Sequence, residues 1–434
     1  MVLMRIRFTI FIFFFSYVCF SQDCELNTYK YKRVVKKAKK YIKKGRSDAK
    51  MLYKAYDLLN KERDIPYFSA LKAELFWLRG EDFNAEEEGL FAIEFCADLF
   101  PEVYYLLGDI AFSRKDYVNA EKYLKKSIQL EIGDPYYSDA VMLFEKAKII
   151  AGIINNPVPF SPNIVHGIST KNDEYLPLIS PDQELVFFTR RSSRDSKQDI
   201  FSNTIEKFVK SQKTDGMYAV GDPLEYPFNL ENNEGGASIT IDNKVLYYTK
   251  CIRDKSGYNN CDIYYVYKKM KGWSEVQSFP KNICGVNTWE SQPTISSDGK
   301  TLIFASDRSG GFGKTDLYEI NFVDGKWSEP KNLGSNINSN EHEKSPYLHT
   351  DGVTLFFSST NFPSIGGFDI FYSRKDSLGN WKEPINIGYP INTLLDEVSL
   401  VVSTDGDSAY FASNQLNGVG GMDIYSFPLH DNAR

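Results

Sequence analysis

The sequence predicts two domains: an α-helical repeat domain over residues 22–154, followed by a five-bladed, all-β propeller over residues 155–434. Three observations predict this. Small residues recur 35 positions apart in the first part, as at Ala85 and Ala120. The composition then changes at a proline-containing linker near Pro157. After the linker, short apolar runs bounded by Asp, Gly and Asn repeat five times. The spacing between successive copies is typical of propeller blades.

The composition is that of a globular protein. Of the 434 residues, 42% are apolar and 25% are charged. The first fifty residues carry 13 Lys or Arg against 3 Asp or Glu, but the whole chain has a formal charge of −6, so the remainder is acidic. Because phosphate binding needs a basic surface, we expect no nucleic-acid partner.

The N-terminus has the pattern of a signal peptide over residues 1–21. Arg5 and Arg7 precede an apolar run that starts at Phe8, and small residues before Gln22 suggest cleavage there. An uncleaved membrane anchor is the alternative, although the apolar run is short for a span. We therefore expect an exported protein, periplasmic or associated with the outer membrane, with no direct membrane span after cleavage.

Within the helical part, Tyr104 and Leu107 begin a pattern of aromatic, Leu and Gly residues that precedes Ala120. This pattern resembles a tetratricopeptide repeat. Such repeats form curved arrays that bind peptides or proteins, so the resemblance implies that Tyr104 and Leu107 contribute to a protein-binding face. The alternative is that these helices only pack against the propeller.

The β-rich part repeats two strand motifs in each of its five units. One is an apolar run that follows an Asp turn, as in 302–306 after Asp298. The other opens with Asp, an aliphatic residue and an aromatic residue, as in 316–318. A strand with Trp-x-x-Pro, seen at Trp327, and a strand before each Asp turn bring the count to four strands per unit.

These motifs resemble the WD40-like, TolB-type propeller repeat, most clearly from Glu290 to Tyr318. The order of signal peptide, helical repeats and propeller is similar to that of OmpA-family envelope proteins related to PorE, although we expect this chain to lack the OmpA-like domain and the lipoprotein cysteine. The resemblance implies a non-catalytic scaffold. It would bind envelope proteins, such as an outer-membrane or type IX secretion component, and use no cofactor.

A carboxylate opens the first strand of every predicted blade. The five are Glu174, Glu234, Glu290, Glu343 and Glu397. They could ring one rim of the central channel and hold a cation or supply an acid and a base. Residues that repeat in every blade usually share one structural role, so we predict that these carboxylates are structural.

The sequence contains no HExxH, GxSxG or Walker motif, so neither a metal set nor an enzyme is expected. The alternative function is a glycan-binding or glycan-cleaving propeller. Asymmetric carboxylates and exposed aromatic residues at one channel mouth would favour that alternative.

We predict a disulfide between Cys251 and Cys261, which end and begin adjacent strands. The pairing of Cys24, Cys96 and Cys284 stays open. We also predict that residues 159–164 supply the missing outer strand of the last blade and thereby close the ring, which would remove an exposed sheet edge.

Overall fold

The computed structural model describes residue 24 and residues 29–61, 65–193, 204–230, 233–253, 259–361, 363–430 and 433. The predicted signal peptide and the predicted strand start at 199–201 lie outside these residues. The chain divides into a helical N-terminal unit and a β-rich C-terminal unit, with the boundary between Lys148 and Ile149. Within the described ranges, no helix combines the length and the apolar character needed to cross a membrane.

Seven helices are described, six within the N-terminal unit and a seventh that begins there and continues past the boundary. They are α1 Tyr29–Gly45, α2 Ala49–Leu59, α3 Pro66–Leu78, α4 Asp82–Phe95, α5 Pro101–Ser113, α6 Tyr117–Gln129 and α7 Tyr137–Asn155. Proline occupies the first turn of α3 and of α5, where its missing N–H is not needed. The Asp48 and Asp116 side chains accept backbone N–H groups at the starts of α2 and α6.

The helices pack in consecutive pairs, α1 with α2, α3 with α4 and α5 with α6. Small residues make this packing close. Ala85, Ala92, Ala120 and Ser127 are fully buried. At Gly108 a methyl group would lie 2.6 Å from Leu124 Cγ, so only glycine allows α5 to approach α6 this closely.

The C-terminal unit contains five repeats of antiparallel strands. Repeat 1 comprises β2 Asp173–Ile179, β3 Leu185–Ser193, β4 Thr204–Thr214, β5 Met217–Tyr218 and β6 Asp222–Pro223, and it is preceded by β1 Asn163–Ile164. Repeat 2 comprises β7 Asn233–Ile239, β8 Val245–Arg253, β9 Asn259–Tyr267 and β10 Gln277–Ser278. Repeat 3 comprises β11 Glu290–Ile295, β12 Thr301–Ser306, β13 Asp316–Val323, β14 Lys326–Trp327 and β15 Lys331–Asn332. Repeat 4 comprises β16 Glu343–Leu348, β17 Thr354–Ser359, β18 Asp369–Arg374 and β19 Ile385–Asn386. Repeat 5 comprises β20 Glu397–Val402, β21 Ser408–Ser413 and β22 Asp423–Pro428.

The first strands of the repeats pack on one another in cyclic order, β2 on β7, β7 on β11, β11 on β16, β16 on β20 and β20 on β2. Repeats 3, 4 and 5 are separate sheets, whereas repeats 1 and 2 share one sheet because Glu206 of β4 pairs with Asn233 of β7. The unit is therefore propeller-like, with its five first strands around a common centre.

The predicted closing strand is confirmed at its last two residues. Asn163 pairs with Ser426 and Ile164 with Tyr425, so β1 is the outer strand of the sheet of repeat 5. Phe160, just before β1, packs edge-on against Phe411 and Phe427, with ring centroids 6.0 and 5.1 Å away. The start and the end of the β-rich unit are thus tied within one sheet.

Every first strand contains a β-bulge, where the register to the second strand shifts after its second residue or third residue. In each bulge the residue two positions after the repeated glutamate has a positive φ, between 50° and 64°; these residues are Leu176, Gly236, Gln292, Ser345 and Ser399. Four of these five residues are not glycine, although a left-handed conformation costs energy for residues with a Cβ. The bulge re-aims the strand at the centre of the unit.

Candidate functional site

The centre of the β-rich unit is nearly filled. The bulge residues and the residues that follow them line a cavity of about 40 Å³, with Pro177, Pro293 and Tyr347 among its walls. Because one water molecule occupies about 30 Å³ in the liquid, this space is too small for an organic ligand. A site for an organic ligand would therefore lie outside this small central cavity.

A larger cavity of about 380 Å³ opens at one end of the first strands. We call it the mouth cleft. Its walls come from repeats 1, 2 and 3 and include Tyr175, Glu206, Asn233, Trp289 and Gln292. Its volume falls in the range of small-molecule sites.

The cleft is asymmetric because the residue that follows the repeated glutamate of the first strand differs in every repeat. In repeats 1 to 5 this residue is Tyr175, Gly235, Ser291, Lys344 and Val398. Gly235 leaves room for Thr189, whose Oγ1 would lie 1.9 Å from a Cβ at this position. The bulky Lys344 stands in repeat 4, where its Nζ lies 3.5 Å from the centroid of the Phe368 ring.

Tyr175 and Glu206 form the polar pair of the cleft. The Tyr175 hydroxyl donates a hydrogen bond to Glu206 Oε1. Burial, followed by the negative charge of Glu206, raises the pKa of Tyr175, so its phenol is neutral at physiological pH. Arg191 lies opposite Glu206 on the neighbouring strand and forms an ion pair with Asp173, with Nη2 and Oδ2 2.6 Å apart.

Trp289 and Gln292 form the opposite side of the cleft, on repeat 3. The backbone N–H of Trp289 donates to Asp307 Oδ1 at 2.7 Å, which holds the start of β11 in place, and the Trp289 ring is only partly buried. Gln292 Oε1 accepts the backbone N–H of Ser345 at 2.7 Å. The cleft thus combines two partly exposed aromatic rings, a carboxylate and amide groups.

Sequence reasoning missed Tyr175, Glu206 and Trp289 as a group. None of these residue types is repeated at the corresponding position of the other units. Glu206 lies 31 positions after Tyr175, on another strand, so its approach to Tyr175 carries no short sequence signal.

The five predicted carboxylates lie inside the repeats. All are at most 2% exposed. In four of them the carboxylate ties together the loop before the first strand and the end of the second strand. Glu343, for example, accepts the N–H and Oγ of Ser339 at 2.9 and 2.6 Å and the Oγ of Ser359 at 2.8 Å. Glu397 repeats this arrangement with Thr393 and Ser413.

Two of these carboxylates also form buried ion pairs. Glu174 Oε1 is 2.7 Å from Arg190 Nε, and Glu290 Oε1 is 3.0 Å from Arg308 Nη2. Only Glu234 contributes to the lining of the mouth cleft, and it accepts the backbone N–H of Asn229 at 2.7 Å. The five carboxylates therefore do not form an open ring at the channel rim.

The cysteines are placed as follows. Cys251 and Cys261 lie directly opposite each other in β8 and β9 and are joined by a disulfide. A second disulfide joins Cys24 to Cys96, and Cys284 is a buried free thiol.

One group of potential metal ligands exists in the part of the chain that the structure describes. It consists of Asp262, Cys284 and Glu290, whose ligand atoms all lie within 4.8 Å of one another. Burial raises the pKa of Cys284 to about 12, so the thiol keeps its proton at neutral pH. Glu290 is already neutralised by Arg308. These contacts give the group a packing role, and we assign it no metal.

Tyr104 and Leu107, the predicted protein-binding residues, lie in the core of the helical unit. Tyr104 is 8% and Leu107 2% exposed. The Tyr104 hydroxyl donates to the carbonyl oxygen of Ala97 at 2.9 Å. The side chains that the repeat pattern emphasises are used for packing between helices, so they are not available to a partner.

Neither a protein-family model nor a curated protein matches the sequence. Among solved structures, the chain is similar to the catalytic domain of a GH62 α-L-arabinofuranosidase from Coprinopsis cinerea, at 10% identity, over 63% of this chain and 97% of that one, with a TM-score of 0.42. It is also similar to an α-L-arabinofuranosidase from Lactobacillus brevis, at 13% identity, over 62% and 94% of the two chains, with a TM-score of 0.40. A puromycin-hydrolysing peptidase of Mycobacterium tuberculosis matches at 11% identity and a TM-score of 0.34, over 61% of this chain but only 37% of the peptidase.

These findings correct the family assignment and the function expected from the sequence. The comparisons give no support to a tetratricopeptide, TolB-type or OmpA-family protein, and that assignment is wrong. The expectation of a non-catalytic scaffold is wrong as well, because the neighbouring structures are enzymes. At these identities and TM-scores, the function has to be argued from the site itself.

Proposed function

We propose that the β-rich unit is a five-bladed propeller that binds a glycan in the mouth cleft and cleaves it. The observation that carries this proposal is the asymmetry of the cleft. Two aromatic rings and one accessible carboxylate, none of them repeated elsewhere in the ring, converge at one end of the first strands.

The lining suits a sugar. Carbohydrate rings have apolar faces that pack on aromatic side chains, and their hydroxyl groups need hydrogen-bond partners at the edges. Tyr175 and Trp289 offer such faces from opposite sides of the cleft, while Asn233 and Gln292 offer amide groups. The volume of about 380 Å³ accommodates one or two sugar rings.

The Tyr175–Glu206 pair supplies the chemistry. A hydroxyl nucleophile within hydrogen-bond reach of its base is the arrangement used in nucleophilic catalysis, and tyrosine serves as the nucleophile in one group of glycosidases. In the proposed step the Tyr175 oxygen bonds to the anomeric carbon as Glu206 takes up its proton and the glycosidic C–O bond breaks. The leaving oxygen takes a proton from water, the hydroxide so formed releases the sugar from Tyr175, and Glu206 returns the proton to the phenol. Because burial and the charge of Glu206 raise the pKa of Tyr175, its proton is transferred only as the bond to the sugar forms. We assign Trp289 and Asn233 to binding and the Tyr175–Glu206 pair to bond cleavage.

A panel of polysaccharides and nitrophenyl glycosides tests this assignment, with sugar release and binding measured separately. We expect Tyr175→Phe and Glu206→Gln to abolish release while binding persists, and Trp289→Ala to weaken binding. Glu225→Gln is the control, because Glu225 is exposed and outside the cleft. If the wild type binds a glycan but releases no sugar, the catalytic role is wrong. If it binds none, the whole proposal fails.

A further inference from the structure

The helical unit contains a cavity of about 460 Å³ that plays no part in the proposed glycan site. We call it the helical pocket. Residues of α1, α3 and α5 and the segment before α7 line it, and its apolar floor includes Ile42, Tyr67, Leu71 and Phe100. The pocket is open to solvent at its rim, where the exposed residues Lys39, Lys43 and Glu102 lie. Its volume is that of a small-molecule site.

One wall of the helical pocket is cationic. Lys39 and Lys43 are four residues apart on α1, so both lie on the same face of that helix. Both are exposed, and neither forms an ion pair with any residue in the described ranges. The two ammonium groups thus line the pocket without an ion-pair partner among the described residues, although Lys39 is near enough to Glu74 to lower the pKa of that carboxyl, and the exposed Asp134 also lines the pocket.

The facing wall is anionic. Glu74 of α3 and the exposed Glu102 of α5 line it. Glu74 is held in place at one end, where the Tyr136 hydroxyl donates to its Oε1 at 3.1 Å and Arg46 Nη2 lies 3.6 Å from the same atom. Arg46 in turn stacks on the Tyr136 ring, 4.8 Å from its centroid. Burial raises the pKa of Glu74, which is the effect that a cation bound beside it would reverse.

We propose that the helical pocket binds a zwitterionic ligand of amino-acid or dipeptide size. Its carboxylate would face Lys39 and Lys43, its ammonium group would face Glu74 and Glu102, and its side chain would pack on the aromatic floor. Glu74 already has Arg46 beside it, so a simple anion leaves Glu102 without a counter-charge, and a simple cation leaves the two lysines without one. A ligand with both charges satisfies both walls.

The test is calorimetric binding of an apolar dipeptide, Leu-Leu, to the full chain, alongside its N-acetylated and C-amidated forms. We expect the free dipeptide to bind. The affinity of each blocked form should be at least about tenfold lower, because each form loses one charge-assisted contact. Equal binding of all three forms would show that the charges do not recognise the ligand. If neither Leu-Leu nor any of a set of other apolar and aromatic dipeptides binds, the proposal is overturned.

Matched variants place the ligand. The double variant K39A/K43A should lose about tenfold in affinity, whereas K36A/K40A, two exposed lysines with the same spacing on α1 that do not line the pocket, should not. Glu102→Gln should weaken binding, and Glu87→Gln, an exposed glutamate outside the pocket, is its control. Circular dichroism verifies that each variant is folded. Unchanged affinity in K39A/K43A would mean that the dipeptide binds elsewhere, and the pocket would be excluded.

Discussion

Replacing Glu290 by glutamine measures what a repeated buried carboxylate contributes to the β-rich unit. Glu290 Oε1 accepts Ser306 Oγ at 2.7 Å and pairs with Arg308, while Oε2 accepts the N–H of Gly285 at 3.0 Å and Thr288 Oγ1 at 3.1 Å. Glutamine keeps one acceptor oxygen and replaces the other oxygen by an NH₂ group. This NH₂ group faces two groups that donated hydrogen bonds to the carboxylate. The variant therefore loses two hydrogen bonds and leaves Arg308 without its counter-charge.

The lost contacts set the expected change in the free energy of unfolding. Breaking a buried ion pair by removing one partner costs about 3–5 kcal/mol. Glu397 is the matched comparison, because it has the same position in repeat 5 but its partners are Thr393 and Ser413, with no arginine. Glu397→Gln keeps hydroxyl partners that can reorient and removes a charge that burial disfavours, so we expect a cost below about 1 kcal/mol at neutral pH.

Thermal unfolding followed by tryptophan fluorescence reports on this unit, because Trp273, Trp289, Trp327 and Trp381 all lie in it. We expect Glu290→Gln to lower the unfolding temperature several times more than Glu397→Gln does. The double variant E290Q/R308M, which removes both charges, should recover part of the loss. Equal shifts for the two single variants, or no recovery in the double variant, would refute the ion-pair reasoning.

Three further predictions concern the same unit. Burial raises the pKa of Glu397 from its ordinary 4.5 to about 7. Because the folded state then holds the proton more tightly than the unfolded state, about 3 kcal/mol of stability should be lost as the pH rises from 4.5 to 7. A Glu397→Gln variant whose pH dependence in denaturant titrations equals that of the wild type would contradict this. Phe160→Ala should lower the free energy of unfolding by about 3 kcal/mol, because it uncovers the closing strand. Phe322→Ala, at a residue that is 40% exposed, should lower it much less. Equal melting temperatures for the two variants would argue against closure by β1. Reduction of the disulfide between Cys251 and Cys261 should lower stability by about 2–3 kcal/mol, and peptide mapping of the unreduced protein that finds both as free thiols would disprove the bond.

Part of the fold was predictable from the sequence because strands and helices impose local periods. The change from small residues 35 positions apart to short apolar runs marked the change from helices to strands, and the Asp turns marked the start of each second strand. The structure follows these signals at 302–306 and 316–318, where β12 and β13 form. The closing strand was predictable as well, because the last repeat lacked one of its strands.

The family resemblance failed for a physical reason. A Leu-Gly pair on one helix and Ala on the next are what any two closely packed helices need, as Gly108 shows against Leu124. An Asp turn before an apolar strand likewise serves any sheet, since its carboxylate accepts backbone N–H groups and closes the turn; Asp298 accepts that of Lys300 at 3.0 Å. Such patterns report packing and turn geometry, and they do not identify a partner or a reaction.

The sequence by itself determined the number of repeats, the order of the two units and the position of a buried carboxylate in every repeat. Each of these depends on contacts between residues close in the chain. Only the tertiary structure decided where a ligand can bind. Tyr175 and Glu206 come from repeat 1 and Trp289 from the start of repeat 3, and they meet at the mouth cleft because the bulged first strands pack around one centre.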